Sequence, residues 1–297
     1  MKITDEKNLM LGKNSDIGSN FSFGYNVVIE DGAIIGNNVS IDHGSIIRRG
    51  VCIGDNTIIG ANVILGEKTA SRMIDSELPA MNLKIGSNSI IRSGSILYEG
   101  STIGDNFQSG HNIVVREGTI IGHHSNLGDF VDCQDHVRIG NYVRCHSNDR
   151  LESFTILDDF AWIFPMVEFT NDRTPPSDNL KGVHVHSFAL VCACSTVIAG
   201  LDIAEDCLIA AGSVVTHDVK KYQLVAGNPA RVIADLRTVK NKFTGKNNYP
   251  WRKYFSNHMP WNEIGFDAWN ELQLKKSSYV IETIPALTHG KNRSNMR

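Results

Sequence analysis

The sequence predicts an all-β protein built as a three-sided coil of short parallel strands. The first observation is an apolar anchor at every sixth position, from Ile17 to Leu65, from Ile85 to Phe169 and from Val185 to Val215. Of these 30 positions, 25 are Ile, Leu or Val. A period of six fits neither a 3.6-residue helix nor a simple alternating strand, whereas it fits a short strand followed by a tight corner.

The second observation concerns the residues around each anchor. The next residue is often glycine, and the residue four positions after the anchor is usually small or β-branched. Glycine suits a backbone that leaves a strand for a tight bend. Three six-residue units close one triangular coil, so the anchors predict about ten coils that stack over about 48 Å.

The register divides the chain into a coil stack, residues 1–221, and a C-terminal cap and tail, residues 222–297. Excursions interrupt the stack at 66–84 and 170–184. Successive anchors are assigned to three faces in turn. If this order continues unchanged after each excursion, both excursions leave the corner between the second face and the third face. That edge is therefore predicted to meet a substrate or a neighbouring subunit, unless the excursions are merely tolerated surface insertions.

The residues after the last anchor break the six-residue step. Residues 216–233 are expected to fold back as a strand and to lead into a capping helix around 231–243. The tail from about 244 onward contains Trp251, Trp261 and Trp269, and a tail this aromatic is expected to be ordered.

Composition excludes several function classes. Lys and Arg number 29 against 32 Asp and Glu, so the net charge of −3 favours neither nucleic acid nor an anionic membrane surface. The sequence contains no apolar run of about 20 residues, so we expect no membrane insertion. Its first residues contain no apolar signal core, which favours a cytoplasmic location. The six cysteines include no CxxC pair.

The repeat, [Ile/Leu/Val]-Gly-x-x-[small]-x over about 200 residues, resembles the left-handed β-helix acyltransferases. The segments Ala-Ala-Gly-Ser-Val-Val-Thr at 210–216 and Gly-Asn-Pro-Ala-Arg at 227–231 are similar to the closing signature of the CoA-dependent members. The resemblance implies a left-handed coil, acetyl-CoA as co-substrate and no metal. It also implies a homotrimer in which the pantetheine arm follows a coil edge between two subunits.

The same resemblance assigns residues to the cofactor. Backbone groups near Ala193, Ala211 and Gly212 would hydrogen-bond the pantetheine arm. The turn with Asn228 and Pro229 would approach the nucleotide end. Three basic side chains could neutralise the CoA phosphates, namely Lys220, Lys221 and Arg231.

The segment Ser-Gly-His111-Asn112 provides a candidate general base. Sugar acyltransferases of lipid A and bacillosamine biosynthesis place their base in a similar corner. A neutral imidazole can accept a proton from an attacking amine or hydroxyl, and Asn112 could orient it. Three other histidines occupy comparable corners or faces and are candidate substrate-binding residues, namely His123, His136 and His146.

The segment Glu168-Phe-Thr-Asn171-Asp172 resembles one found in nucleotide-sugar N-acetyltransferases that act on 3-amino sugars. By that resemblance, Asn171 would receive the sugar amine or a water that relays its proton, with Glu168 or Asp172 nearby. The expected reaction is direct attack of the amine on acetyl-CoA, in cell-surface polysaccharide (O-antigen) biosynthesis. A simple Asn-Asp turn that opens a loop remains an alternative interpretation of this segment.

Other functions remain open on the sequence alone. The first is an O-acetyltransferase that acts on a saccharide or a small hydroxyl acceptor. A γ-type carbonic anhydrase-like metalloprotein is a second, because His184-x-His186 and the pair His123-His124 could bind a metal ion. A non-catalytic scaffold is a third.

Overall fold

The computed structural model describes residues 2–4 and 7–277, and nearly all of its strands run parallel in three stacked sheets. The prediction of an all-β left-handed parallel β-helix is confirmed. The chain visits face 1, face 2 and face 3 in turn, and each strand hydrogen-bonds to the strand one coil earlier and one coil later. Among the named strands of the described residues, the pairs β1–β2 and β33–β34 are antiparallel and the other pairs are parallel.

The strands are mostly two residues long, because each anchor needs only one inward side chain before the next corner. Face 1 consists of β4 Ser22–Phe23, β7 Ser40–Ile41, β10 Ile58–Ile59, β13 Ile90–Ile91, β16 Gln108–Ser109, β19 Asn126–Leu127, β22 Arg144–Cys145, β25 Trp162–Ile163, β28 Leu190–Val191, β31 Leu208–Ile209, β33 Gln223–Gly227 and β34 Ala230–Asp235. Face 2 consists of β1 Lys2–Thr4, β2 Leu9–Leu11, β5 Val28–Ile29, β8 Ile46–Ile47, β11 Ile64–Glu67, β14 Ile96–Tyr98, β17 Val114–Val115, β20 Asp132–Cys133, β23 Arg150–Leu151, β26 Glu168–Phe169, β29 Thr196–Val197 and β32 Val214–Val215. Face 3 consists of β3 Asp16–Ile17, β6 Ile34–Ile35, β9 Cys52–Ile53, β12 Lys84–Ile85, β15 Thr102–Ile103, β18 Ile120–Ile121, β21 Arg138–Ile139, β24 Ile156–Leu157, β27 His184–Val185 and β30 Asp202–Ile203.

The predicted anchors fill the interior of the coil stack. Ile59, Leu97, Leu151 and Phe169 are fully buried, and they belong to one continuous hydrophobic cluster that extends through the coils. The residue before each anchor points outward, as the strand alternation requires. One register therefore decides which side chains form the core and which remain available at the surface.

Asparagine, rather than glycine, makes many of the sharp corners. Asn38 and Asn56 have φ values of 55° and 57°, a left-handed conformation that asparagine tolerates better than most residues. Glycine after the anchor is needed for a different reason. A Cβ on Gly122 would lie 2.6 Å from the backbone of Gly140 in the next coil, so a side chain there would collide with it.

The edge between faces 3 and 1 shows how corner residues stabilise one another. In the early coils its asparagine amides form a ladder, with 2.9 Å from Asn20 to Asn38 and 2.9 Å from Asn38 to Asn56. In later coils the same position is aromatic, and the stacked rings have centroids 4.6, 5.2 and 5.0 Å apart, in the order His124, Tyr142, Phe160 and Phe188. Ring stacking replaces the amide hydrogen bonds and offsets the cost of the left-handed backbone.

Both excursions leave the edge between faces 2 and 3, as the phase predicts. The first connects β11 to β12 and contains α1, Ala70–Ile74. The Thr69 side chain caps this helix by accepting a hydrogen bond from the Arg72 backbone N–H. The Arg72 guanidinium also forms a nearly buried ion pair with Glu99, at 3.3 Å. The second excursion connects β26 to β27.

The prediction of a helix around 231–243 is wrong. Residues 230–235 form strand β34, which pairs antiparallel with β33, and only a 3-10 turn, Leu236–Thr238, follows. The strand persists because the open end of face 1 offers unpaired backbone groups that an antiparallel hairpin satisfies.

The described part of the chain divides into two compact units, with the boundary between residues 251 and 252. A second 3-10 turn, Trp251–Lys253, lies at the boundary, and α2, Phe266–Ser277, lies in the second unit. Trp261 is buried there, its indole N–H donates to the Phe255 carbonyl, and its ring packs edge-on to Phe266. The aromatic tail is thus ordered through residue 277, and the rest of the predicted domain 222–297 lies outside the described residues.

The two isoleucines of β18 test the register. Ile121 is 1% exposed and Ile120 is 47% exposed. Ile121→Ala is expected to lower the free energy of unfolding by about 2–5 kcal/mol because it opens a cavity in the interior, whereas Ile120→Ala changes it by about 0.5 kcal/mol or less. Urea denaturation of both variants measures the difference, and equal losses would contradict the assignment of faces.

Candidate active site

A groove of ≈ 480 Å³ crosses the outer surface of face 1, beside the edge between faces 1 and 2. Two of the predicted site residues, His111 and His146, lie together in it. Its floor is made by the outward residues that precede successive anchors, which are Gln108, Asn126, Arg144 and Trp162. Because these residues recur once per coil, the stacking of strands aligns them in one column.

His146 is held at one end of the groove. The Trp162 indole N–H donates to His146 Nε2 at 2.8 Å, and the imidazole stacks on the rings of Trp162 and Phe164. Burial and the nearby Arg144 charge lower the pKa of His146. The ring is therefore neutral with its proton on Nδ1, and the lone pair of Nε2 is already used. His146 can donate a hydrogen bond to a ligand but is a poor proton acceptor.

His111 occupies the exposed rim of the same groove. Its backbone N–H donates to Asp129 Oδ1 at 2.6 Å, which fixes the corner. Within the described residues, its imidazole makes no hydrogen bond of its own, so a nitrogen lone pair is free to accept a proton. The two histidines thus differ in the structure, since the Nε2 lone pair of His146 is occupied and the imidazole of His111 keeps an available lone pair.

Two arginines give the groove positive charge. Arg92 is oriented by the buried Ser109, because its Nε donates to the Ser109 carbonyl at 3.0 Å and its backbone N–H donates to Ser109 Oγ at 2.7 Å. Arg144 lies over the Trp162 ring, with its guanidinium carbon 4.9 Å from the ring centroid. Guanidinium groups in this arrangement suit phosphate or carboxylate oxygens.

A buried carboxyl lies just behind the groove. Asp149 is 1% exposed and accepts a hydrogen bond from the Val167 backbone N–H at 3.0 Å. Burial raises the pKa of Asp149 to about 8, although its backbone hydrogen bonds with Val167 and His146 act in the opposite direction. The corner that carries His146 and Ser147 therefore packs on a carboxyl that is largely protonated at neutral pH.

The residues Glu168, Asn171 and Asp172 lie elsewhere on the chain. Glu168 points outward on face 2, 3.6 Å from Arg150, and burial raises its pKa. Asn171 and Asp172 begin the second excursion at the edge between faces 2 and 3. Since that corner is on another edge and three coils, or about 14 Å, further along the stack, one chain does not bring these residues to His111.

Asp172 orders the excursion that it begins. Its two carboxylate oxygens accept hydrogen bonds from the backbone N–H groups of Thr174 and Ser177 and from the Ser177 hydroxyl. Arg173 donates to the Ala199 and Thr216 carbonyls, which fastens the loop along two later coils. The Asn-Asp turn that the sequence left open as an alternative is therefore present, and it is compatible with a binding role for Asn171.

The other predicted substrate-binding residues have structural partners. His123 Nδ1 accepts the Asp105 backbone N–H at 3.0 Å, a position filled by Asn or Asp in neighbouring coils. His136 Nδ1 lies 2.7 Å from Asp135, and its ring stacks on Phe154 at the same edge as the second excursion. Asn112 adopts a φ of 56° and supports the corner after His111.

The predicted cofactor residues share the edge of His111. Ala193 and Ala211 occupy the corner position equivalent to His111, four and five coils further along, or about 19 and 24 Å away. Gly212 donates its N–H to the Ala193 carbonyl, and the space beside its Cα is open. Asn228 and Pro229 are exposed in the turn between β33 and β34, Arg231 is exposed on β34, and Lys220 is exposed before β33.

Sequence reasoning missed several residues of the groove. Arg144, Trp162 and Asp149 were not singled out, although a signal for Asp149 exists: it occupies the inward corner position four residues after an anchor, where most coils have a small or β-branched residue. Trp162 is recognisable as an aromatic residue in an outward column, 18 residues after Arg144.

A comparison with known protein families supports the six-residue repeat seen in the sequence. Residues 32–67 match the family described as bacterial transferase hexapeptide (six repeats). The match shows similarity to that family over these residues only. The chain is 38% identical over 64 residues to serine acetyltransferase 4 of Arabidopsis thaliana and 44% identical over 45 residues to serine acetyltransferase 2 of the same plant. Those segments cover 22% and 15% of this chain and only 16% and 14% of the relatives.

Among solved structures, this chain is similar to the UDP-N-acetylglucosamine acyltransferase from Campylobacter jejuni. The similarity has a TM-score of 0.44 and 17% identity and covers 79% of this chain and 77% of the other. Within residues 2–4 and 7–277, no helix is both long enough and apolar enough to span a bilayer.

The raised pKa of Asp149 has a consequence for stability. A carboxyl with a higher pKa in the folded state favours folding at low pH and loses that contribution as the pH rises from about 4 to about 8. Asp149→Asn should therefore be similar to the wild type in stability near pH 4 and more stable near pH 8. The gap should grow by at most about 1.4 kcal/mol per pH unit.

Urea denaturation of both proteins across this pH range measures the gap. A constant difference at all pH values would contradict the raised pKa.

Proposed function

We propose that this protein is a CoA-dependent acyltransferase that moves an acetyl group from acetyl-CoA to the amine of a nucleotide-linked amino sugar. The observation that carries the proposal is the groove on face 1, where an exposed histidine with a free lone pair lies beside two arginines. The edge at this groove continues to the exposed corners that match the CoA-binding signature. Because CoA thioesters are cytoplasmic, the proposal includes a cytoplasmic location.

The donor would lie along the edge between faces 1 and 2. Its thioester would reach the groove near His111, and its pantetheine arm would follow the coils toward Ala211 and Gly212. The open space beside Gly212 supports this path, because a side chain there would obstruct the edge. Arg231 and Lys220, both exposed near the end of the stack, could neutralise the CoA phosphates.

The acceptor would occupy the groove itself. Arg92 and Arg144 are suited to the diphosphate of a nucleotide sugar, since each offers several N–H donors in a fixed plane. The Nδ1–H of His146 could donate to a sugar hydroxyl. This arrangement would direct the amino sugar toward the rim, where His111 and the thioester meet.

The proposed chemistry needs no covalent enzyme intermediate. The sugar amine attacks the thioester carbonyl carbon, a C–N bond forms, and His111 accepts the proton that the amine loses. The tetrahedral intermediate then expels the CoA sulfur as the C–S bond breaks, and the proton on His111 protonates that thiolate. The fixed groove contributes by holding both substrates in position.

A second copy of the chain would complete the site. We propose a homotrimer in which the edge with Asn171 and Glu168 of one copy meets the edge with His111 of the next. This arrangement explains why His111 lies on one edge of a single chain, whereas Asn171 and Glu168 lie at another edge. Asn171 would then contact the amine from the side opposite His111.

Substitution of His111 tests the base. His111→Ala is expected to lower kcat/KM by about 10²–10⁴-fold with acetyl-CoA and an amino-sugar nucleotide, because proton transfer from the amine is lost. The matched control is His43→Ala, since His43 occupies the equivalent corner of the same edge outside the groove. Equal kcat/KM values for both variants and the wild type would contradict the role of His111.

Mixing of two inactive variants tests the shared site. His111→Ala and Asn171→Ala proteins are unfolded and refolded together in equal amounts, so that trimers form at random. About a quarter of the interfaces would then combine an intact His111 with an intact Asn171, and about a quarter of wild-type activity should return. If the mixed oligomers recover no activity, His111 of one copy and Asn171 of the next copy do not form a shared active site.

The choice of acceptor group distinguishes the proposed N-acetylation from the alternative, O-acetylation. Matched amino-sugar and hydroxy-sugar nucleotides are compared at equal concentration, with product identified by mass. Preference for the amine supports N-acetylation. Preference for the hydroxyl would establish O-acetylation, which the same groove and base can perform.

A further inference from the structure

Face 3 carries a cluster of imidazoles and carboxylates that the proposed reaction does not use. His184 points outward from β27, in register with Asp202 on the next coil. Asp158 and His186 start the corners that follow β24 and β27, so they also occupy neighbouring coils. The stacking of three coils thus brings the histidine pair together with two carboxylates that are 16 or more residues away in the sequence.

The distances match those between ligands of one metal ion. Asp158 Oδ2 lies 3.0 Å from His184 Nε2 and 3.2 Å from His186 Nδ1. The ligand atoms of the three side chains all lie within 4.8 Å of one another. Two ligands of a tetrahedral zinc ion, each about 2.0–2.1 Å from the metal, are about 3.3 Å apart.

Asp202 supports the two histidines from their other side. Its Oδ1 lies 3.0 Å from His186 Nε2 and 3.6 Å from His184 Nδ1. A carboxylate that accepts the second N–H of a ligating histidine fixes the tautomer and the ring orientation. Here one carboxylate faces both rings, which leaves Nε2 of His184 and Nδ1 of His186 directed toward Asp158.

Simple ion pairing explains this arrangement less well. The two imidazole rings have centroids only 3.8 Å apart, and both nitrogens of each ring are next to a carboxylate oxygen. Two of these contacts are hydrogen bonds, His184 Nε2–Asp158 and His186 Nε2–Asp202, both at 3.0 Å. The two Nδ1 atoms face a carboxylate without such a bond, so to pair all four ring nitrogens would require two imidazolium cations face to face. With a metal, both rings are neutral, His186 keeps its Nε2–H for Asp202, His184 directs Nδ1 toward the same carboxylate, and the remaining lone pair of each ring binds the cation.

We propose that face 3 binds one divalent transition-metal ion of the zinc type through Asp158, His184 and His186, with Asp202 as a positioning residue. Three protein ligands leave a fourth position for water or another ligand. The site is separate from the groove on face 1, and its existence does not depend on acyl transfer. It also departs from the sequence expectation that no metal is bound.

The test uses the full-length chain without an affinity tag. Metal-free protein is titrated with Co²⁺, and the expected result is one equivalent bound with the intense visible absorption of a tetrahedral site. The bound Co²⁺ should be displaced by Zn²⁺. A thiolate charge-transfer band in the near ultraviolet would instead indicate the cysteines and would overturn the assignment.

Variants separate ligands from the positioning residue. His186→Ala and Asp158→Asn should abolish the visible absorption, whereas Asp202→Asn should weaken Co²⁺ binding by about 10–100-fold without changing its stoichiometry. His43→Ala is the matched control, because His43 also lies beside an aspartate, Asp42, but has no second histidine near it. Circular dichroism verifies that each variant retains its fold.

Three results would overturn the proposal. These are no tetrahedral spectrum in the wild type, unchanged binding in His186→Ala, or an equal loss of binding in His43→Ala. Acetyl transfer is measured in parallel, and an inactive protein that still binds Co²⁺ in this way would refute the proposed function while leaving the metal site intact.

Discussion

The structure depends on one constraint, the hydrogen bonding of every strand to the strands one coil before and one coil after it. Each coil has few contacts within itself, so it is stabilised by its neighbours. Because the pairing is in register, an inward residue stacks on an inward residue over the whole length. A single shift by one residue would exchange interior and surface over a complete face.

This constraint also creates the surface sites. Residues separated by one coil become neighbours about 4.8 Å apart, whatever their distance along the chain. The Asn ladder, the aromatic stack from His124 to Phe188 and the arginine and tryptophan in the groove all follow from this spacing. The cluster around His184 has the same origin, although an excursion of the chain separates Asp158 from it in the sequence.

The sequence predicts the coil stack well because inward burial is a periodic property. The faces to which Ser109, Val115 and Ile121 were assigned are those observed, and both excursions leave the predicted edge. The helix around 231–243 was wrong because the end of a parallel sheet favours a closing hairpin there, and this depends on the neighbouring strand. Local propensity does not contain that information.

The candidate site was only partly predictable, for a related physical reason. The histidines at 111 and 146 are singled out by their position after an anchor, yet their different surroundings depend on Trp162 and Phe164, which lie one coil away from His146. Likewise Asp149 becomes a largely protonated carboxyl only because the coils around it exclude water. Such effects arise between coils, so a reading along the chain identifies the positions but not the chemistry.

The position of the groove on an outer face has a consequence for the proposed reaction. A thioester and an amine that meet on an open surface are exposed to water, which competes as a nucleophile and weakens the electrostatic interactions of the arginines. One chain cannot close the groove, because its own excursions leave a different edge. In the proposed trimer the excursion of a neighbouring copy provides that cover and adds Asn171. The regularity that makes the fold predictable is therefore also the reason that catalysis would require more than one chain.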